Sequence, residues 1–162
     1  IFSAAFMGYS IGTAPIIGYH DGAKNYTELK GLLKKSLIMI GSFGVAIVVL
    51  AELLATPLAK IFMSYDAALV ELTVSGFRIF ALSFIFMGYA IFCSGFFTAL
   101  NDGVTSAIIS FLRTLVFQIA AVMLLPKIWG IDGVWISIVV AEFMAVVFSA
   151  LFLVVKRKKY HY

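Results

Sequence analysis

Five long apolar runs, almost free of charged residues, constrain this sequence more than any other feature. The runs cover about residues 1–20, 36–56, 75–100, 104–125 and 133–155. A helix needs about 20 apolar residues to cross the hydrocarbon core of a bilayer, and each run reaches that length. Because lipid offers the backbone no hydrogen-bond partners, continuous runs of this kind cross the membrane as α-helices. The sequence therefore predicts an all-α membrane protein with five transmembrane helices.

The composition excludes a soluble globular domain. Hydrophobic residues make up 63% of the 162 residues and charged residues only 12%, whereas a soluble domain has about half and about a quarter. No linker or low-complexity tract divides the chain, so we expect one transmembrane helical domain over residues 1–162. Ile1 already lies inside an apolar run with no basic stretch before it, which is not the pattern of a signal peptide. We interpret the chain as a fragment of a longer protein.

Basic residues in the predicted loops set the orientation. If the helices alternate in direction, one side of the membrane holds eight of these residues: Lys24, Lys30, Lys34, Lys35, Lys156, Arg157, Lys158 and Lys159. The other side holds only Lys60 and Lys127. Because cytoplasmic loops carry the excess of Lys and Arg, we predict a multi-pass protein of the cytoplasmic membrane that starts outside and ends in the cytoplasm. Basic clusters between apolar runs suit anionic lipid headgroups, so the expected partner is the lipid bilayer and not nucleic acid.

The segment after the first run has a helical pattern of its own. Asn25 is a good N-cap, and Glu28 stands three residues later, as in a capping box. Leu29, Leu33 and Leu37 then recur at helical spacing, and the lysines between them project elsewhere. The pattern predicts a short amphipathic helix along the inner leaflet. The same periodicity fits an N-terminal extension of the second transmembrane helix equally well.

The sequence holds no recognisable catalytic or metal-binding pattern. His20 and His161 stand at opposite ends of the chain, and Cys93 is the single cysteine. Their spacing matches no metal-ligand set and no nucleophile motif. We therefore predict that the protein is not an enzyme and has no catalytic residue, metal or cofactor. No ATPase motif is present either, so transport would be driven by an ion gradient or be passive.

Charged residues inside the apolar runs are the remaining candidates for function, because each is costly in lipid and usually faces the bundle interior. Glu142 stands about 15 Å deep in the fifth run, where it is expected to be neutral unless a cation or basic group approaches. It serves either a transport pathway or a hydrogen bond to another helix. Arg113 leaves the same alternatives open, and with Glu142 and Gln118 it forms our set of candidate pathway residues. Glu52 and Arg78 lie near the outer ends of their runs, where each side chain can snorkel to the headgroups.

Two groups of motifs resemble a known family. The first is the run from Gly8 to Tyr19, followed by the turn Gly22-Ala23-Lys24-Asn25. The second contains Ser110-x-x-Arg113, Leu125-Pro126, Gly130-x-x-Gly133-Val134-Trp135 and Ala141-Glu142, in that order. Together they resemble the multidrug and toxic compound extrusion (MATE) family, in which a helix ends in a Pro-containing segment and a Gly-Ala-x-Asn turn on the cytoplasmic side. The resemblance makes Pro15, Gly22, Ala23 and Asn25 a candidate cytoplasmic turn motif.

The resemblance also implies a fold and a function. MATE transporters have twelve helices in two bundles, and this chain would correspond to about helices eight to twelve, most of one bundle. It would be the C-terminal part of an antiporter that couples H+ or Na+ to the export of small amphipathic, often cationic substrates. Its partners would include the missing N-terminal helices. One branch of the family carries an acidic coupling residue on the helix that matches our third run, which has neither Asp nor Glu.

Two other functions remain open. A flippase for a lipid-linked oligosaccharide or polysaccharide, from the same superfamily, would need several basic residues at mid-membrane depth, and Arg113 is the single candidate. A non-transporting membrane scaffold subunit would be favoured by uncharged helices throughout. Glu142 argues against the scaffold, because an ionisable residue at that depth usually has a function.

Overall fold

A computed structural model describes residues 2–63 and 66–162 of the chain. Every element in those residues is helical, and one of them is a single π-helical turn. In chain order the elements are α1 (Phe2–Gly22), α2 (Tyr26–Met63), α3 (Ala67–Ala81), α4 (Ser83–Ala99), α5 (Gly103–Phe111), the π-turn (Leu112–Phe117) and α6 (Gln118–Tyr160). The predicted all-α class is confirmed for the described residues.

α4 forms the centre of the bundle and packs against α1, α2, α5 and α6. Its inward face carries the largest fully buried side chains, which are Phe92, Phe96 and Phe97. Gly88 lets α1 and α2 approach α4 closely, since a Cβ at this position would overlap the ring of Phe6. Large rings against small residues are the kind of packing that holds helices together in lipid, where van der Waals contact replaces the hydrophobic effect.

The outward faces of the helices are apolar as well. Ile11, Leu53 and Val154 are each more than 70% exposed. Exposed apolar side chains of this kind are favourable where they contact lipid. By length and composition, three helical segments are apolar enough to cross a membrane: Tyr26–Phe62, Ala67–Ala99 and Gly103–Tyr160. The prediction of five transmembrane helices is therefore not confirmed as a count, because α1 is not among these segments and the last of them combines two predicted helices.

The last of these segments folds back on itself at Gly130. This residue has φ 60° and ψ −134°, a conformation open to glycine, and it divides α6 into a first arm (residues 118–129) and a second arm (residues 131–160). The two sides of the bend run antiparallel, since the rings of Phe117 and Phe148 lie 5.0 Å apart between centroids. Near the bend, Gly133 packs so closely on the Leu125 carbonyl that a Cβ would overlap it. The bend thus brings distant parts of the sequence together.

The amphipathic segment is not a separate helix. α2 continues from it into the apolar run without a break, so the alternative of an N-terminal extension describes the structure. The predicted cap is confirmed, because the Glu28 N–H donates to Asn25 Oδ1 at 3.3 Å. Leu29 is fully buried whereas Lys30 is exposed, which confirms the predicted division into an apolar and a basic face.

The ends of α1 and α4 share one turn geometry. After α1, Lys24 adopts a left-handed conformation with φ 53°. The N–H groups of Lys24 and Asn25 then donate to the carbonyls of Asp21 and His20, each at 2.9 Å. This is the Schellman arrangement, and Asn101 takes the left-handed position in the same way after α4. α1 therefore continues through Gly22, two residues beyond the end of the first predicted run.

Candidate functional site

Two of the three predicted pathway residues, Arg113 and Glu142, form an ion pair inside the bundle. Arg113 Nε lies 3.1 Å from Oε1 and 2.9 Å from Oε2 of Glu142, and Nη2 lies 2.9 Å from Oε1. The two side chains are 22% and 10% exposed, respectively. Charge-assisted hydrogen bonds of this length are roughly twice as strong as neutral ones. The structure therefore places a basic group directly against the Glu142 carboxylate.

The local fold explains why these two side chains meet. Arg113 lies in the π-turn Leu112–Phe117, an element that inserts an extra residue into a helix and occurs frequently at functional sites. Glu142 lies on the second arm of α6, one turn before the buried Ala145. Small residues of this kind let the two arms pack closely. The bend at Gly130 then places the carboxylate opposite the guanidinium group.

A cavity of about 250 Å³ opens beside the ion pair, between α1, α4 and α5. Its polar lining consists of Ser10, Ser94, Ser110 and Arg113, and the remaining lining is apolar. Ser94 Oγ lies 2.8 Å from Ser110 Oγ and 2.9 Å from Ser106 Oγ. Arg113 thus contacts the buried carboxylate and also lines, together with Ser94 and Ser110, a space large enough for water, an ion or part of a small ligand.

The other predicted site residues lie apart from the ion pair. Gln118 is exposed at the start of α6, one residue after the π-turn. Pro15 lies within α1, Gly22 ends that helix, and Ala23 donates its N–H back to it. Asn25 caps α2, as described above. The turn motif therefore builds the connection between α1 and α2, and its cytoplasmic location stays a prediction.

The sequence analysis missed a charge cluster at the turn between α4 and α5. Asp102 caps α5 by accepting the Thr105 N–H at 3.2 Å. It also accepts the Tyr160 hydroxyl at 2.8 Å and pairs with Lys156 at 3.3 Å. Burial opposes the ionisation of Asp102, but the hydrogen bonds from these three residues outweigh it and hold the pKa of the carboxyl well below its usual range. The cluster fastens the end of α6 to the central helix.

Glu52 and Arg78, each of which we expected to snorkel to the headgroups, pair with each other. Arg78 Nε lies 3.1 Å from Glu52 Oε2, and the side chains are 52% and 41% exposed. The sequence did not predict this pairing, which arises because α2 and α3 pack side by side and bring the charges together; snorkelling stays a prediction. A pair this exposed typically contributes less than about 1 kcal/mol, and it contacts neither residue of the buried pair.

An apolar helical bundle that holds a buried ion pair beside a cavity lined in part by serine hydroxyls is typical of membrane transport proteins. The MatE family model matches residues 1–124, which is most of the chain. The chain therefore belongs to the MatE family, whose members are transporters. No curated protein sequence matches it significantly.

Solved structures of multidrug transporters have the same fold. An outward-facing conformation of a multidrug resistance MATE family transporter of the MOP superfamily superposes with a TM-score of 0.87 at 22% identity, over 96% of this chain and 35% of that one. The Vibrio cholerae MATE transporter VcmN in the bent form gives 0.84 at 23% identity, over 93% and 34%. An inward-facing MATE family transporter gives 0.83 at 19% identity, over 98% and 39%. The chain thus spans little more than a third of each of these structures.

Proposed function

We propose that the chain is part of a cation-coupled multidrug antiporter that uses H+ or Na+ to export amphipathic, often cationic compounds. The observation that carries the proposal is the Arg113–Glu142 pair at the edge of a polar cavity, in a chain of the MatE family. A carboxylate can bind a proton, a metal cation or an organic cation in turn. Exchange among these ligands at one site is what an antiporter requires.

Arg113 would act as a tethered cation in this scheme. With no ligand bound, its guanidinium group neutralises Glu142 at 2.9 Å. A proton, Na+ or a cationic compound that reaches the carboxylate from the cavity would displace the guanidinium group, and departure of that ligand would let the pair form again. Gln118 remains a candidate for contact with the substrate, because it lies less than two helical turns from Arg113 on the same side of the bend.

The chain would correspond to about helices eight to twelve of a twelve-helix transporter. Five crossings would then be made by α1, by α2, by α3 together with α4, by α5 together with the π-turn and the first arm of α6, and by the second arm of α6. The basic residues would place the end of α6 in the cytoplasm. Likeness to both an outward-facing and an inward-facing structure, at TM-scores of 0.87 and 0.83, supports a bundle that moves as a unit during alternating access.

Transport by the full-length protein in vesicles tests this function. The purified protein is reconstituted into liposomes, a pH or Na+ gradient is imposed, and the movement of a fluorescent organic cation is followed. We expect the dye to move against its own gradient under one of the two ion gradients and to stop when an ionophore dissipates it. Glu71→Gln is the matched control for a substitution of Glu142, because this exposed carboxylate lies on α3 away from the ion pair.

Two outcomes would contradict the proposal. Translocation of a lipid-linked oligosaccharide with no movement of the dye would favour the flippase, although Arg113, the one basic candidate for that pathway, is already paired. Movement of neither substrate under either gradient would favour the scaffold.

A further inference from the structure

A groove of about 410 Å³ lies between the start of α2 and the end of α6. These two helix ends lie side by side, since the rings of Tyr26 and His161 are 5.0 Å apart between centroids. α2 contributes Lys30 and Lys34 to the lining, and α6 contributes Arg157. Because α2 begins where α6 ends, the three cations line the same end of the groove.

The three cations have no carboxylate partner in residues 2–63 and 66–162. Lys30 and Lys34 are exposed. Arg157 is exposed as well, and its Nε donates to the backbone oxygen of Tyr162 at 3.2 Å, which holds the side chain in place. A cluster of basic side chains that no acid neutralises attracts an anion.

Away from the cations the groove becomes apolar, through five aliphatic residues: Leu33, Leu37, Ile38, Leu153 and Val154. Two of them are strongly exposed, Ile38 at 62% and Val154 at 72%. Ile38 lies eight residues after Lys30, so the groove extends about 12 Å along α2 from its first cation to its apolar end. The groove therefore offers positive charge at one end and a hydrocarbon surface at the other.

Tyr162 gives the groove a fixed inner wall. Its side chain is buried, its hydroxyl donates to the carbonyl of Leu153 at 3.0 Å, and its ring meets the ring of Phe96 at 5.1 Å between centroids. The same residue holds Arg157 through its own carbonyl. The wall and one of the cations are thus set by a single residue that is anchored to the central helix.

We propose that this groove binds an anionic phospholipid, with its phosphate against Lys30, Lys34 and Arg157 and one acyl chain along the apolar part. Basic pockets between helices at a membrane surface bind anionic headgroups in this way. A zwitterionic lipid fits less well, because its own cation would face the three basic side chains. The proposal does not depend on the substrate or the coupling ion of the transporter.

Native mass spectrometry of the full-length protein in detergent tests the site. The protein is titrated with palmitoyl-oleoyl phosphatidylglycerol and, separately, with the phosphatidylcholine of the same chains. Each basic side chain near an anionic surface contributes about 1 kcal/mol, so we expect three of them to favour phosphatidylglycerol by on the order of 100-fold. Glycerophosphoglycerol, the headgroup without chains, should compete weakly if the apolar part contributes to binding.

Two variants and a control locate the binding. Lys30→Gln/Lys34→Gln/Arg157→Gln should abolish the preference for phosphatidylglycerol. The control Lys24→Gln/Lys35→Gln/Lys158→Gln removes the same charge outside the groove and should keep it, because these side chains are exposed and do not line the groove.

The second variant, Val154→Trp, fills the apolar part and should weaken both lipids without changing the charge. Three results would overturn the proposal. The unaltered protein could show no preference for phosphatidylglycerol, or the control variant could lose that preference as fully as the groove variant. Glycerophosphoglycerol alone could also compete fully with the lipid.

Discussion

Glu142→Gln would leave the guanidinium group of Arg113 inside the bundle without a countercharge. Breaking a buried ion pair by removing one partner costs about 3–5 kcal/mol. Since Arg113 keeps 22% exposure, we expect the lower end, about 3 kcal/mol in the free energy of unfolding. Arg113→Gln removes the hydrogen bonds to the Glu142 carboxylate and should cost about 1–3 kcal/mol. The double variant R113Q/E142Q removes both charges and should lie within about 1 kcal/mol of the unaltered protein.

The four proteins form a double-mutant cycle that isolates the pair. Unfolding of the full-length protein in detergent is followed with increasing denaturant, and the difference between the summed single effects and the double effect gives the interaction energy. We expect about 3–6 kcal/mol for this cycle. The same cycle on Glu52 and Arg78 is the control, and its half-exposed pair should give less than about 1 kcal/mol. Additive single effects at Arg113 and Glu142 would refute the buried pair.

The remaining predictions concern the packing and the topology. Asp102→Asn should destabilise the protein by about 1–2 kcal/mol. Because the pKa of Asp102 is lowered in the folded protein, this contribution should stay constant in melting curves from pH 8 to about 5 and should decrease progressively as the pH falls below about 4 toward the lowered pKa. Gly133→Ala should cost about 1–3 kcal/mol, since its Cβ would overlap the Leu125 carbonyl, and a melting temperature equal to that of the unaltered protein would contradict this. A Cys placed at Lys127 should react with an impermeant thiol reagent from outside, and one at Lys158 should not; the reverse result would contradict the proposed orientation. Vesicles that contain residues 1–162 alone should show no dye efflux, and efflux from them would refute the fragment interpretation.

The helices could be predicted because the bilayer thickness converts directly into the length of an apolar run. The points at which one helix ends and the next begins were harder to predict. The helix that contains Pro126 continues beyond it, and the chain bends at Gly130, where the positive φ suits glycine. The amphipathic segment joined α2 because nothing in its sequence breaks the helix, and periodicity alone could not separate a surface helix from an extension.

The candidate site was found in part, because an ionisable residue deep in an apolar run is costly and therefore informative. The pairing of Arg113 with Glu142 was not predicted, although the positions of the two residues on either side of Gly130 could have indicated it. The two residues lie 17 positions before and 12 positions after Gly130, or about 25 and 18 Å from the bend along straight helices. The extra residue in the π-turn and the length of the Arg side chain reduce that difference.

The Asp102 cluster carried no such signal. Its partners Lys156 and Tyr160 lie 54 and 58 positions away, and no local spacing relates them to the carboxylate. Only the packing of α6 against α4 and α5 brings these residues together.

Efflux by the R113Q/E142Q variant tests whether the ion pair takes part in transport, because this variant removes both charges with little expected loss of stability. The full-length variant and the unaltered protein are reconstituted at equal levels, and dye movement under the effective ion gradient is measured across the working pH range. We expect the variant to fold normally and to show efflux at the background level of empty vesicles. Unchanged efflux at every pH would show that Arg113 and Glu142 have a structural role only, and would contradict their role in transport.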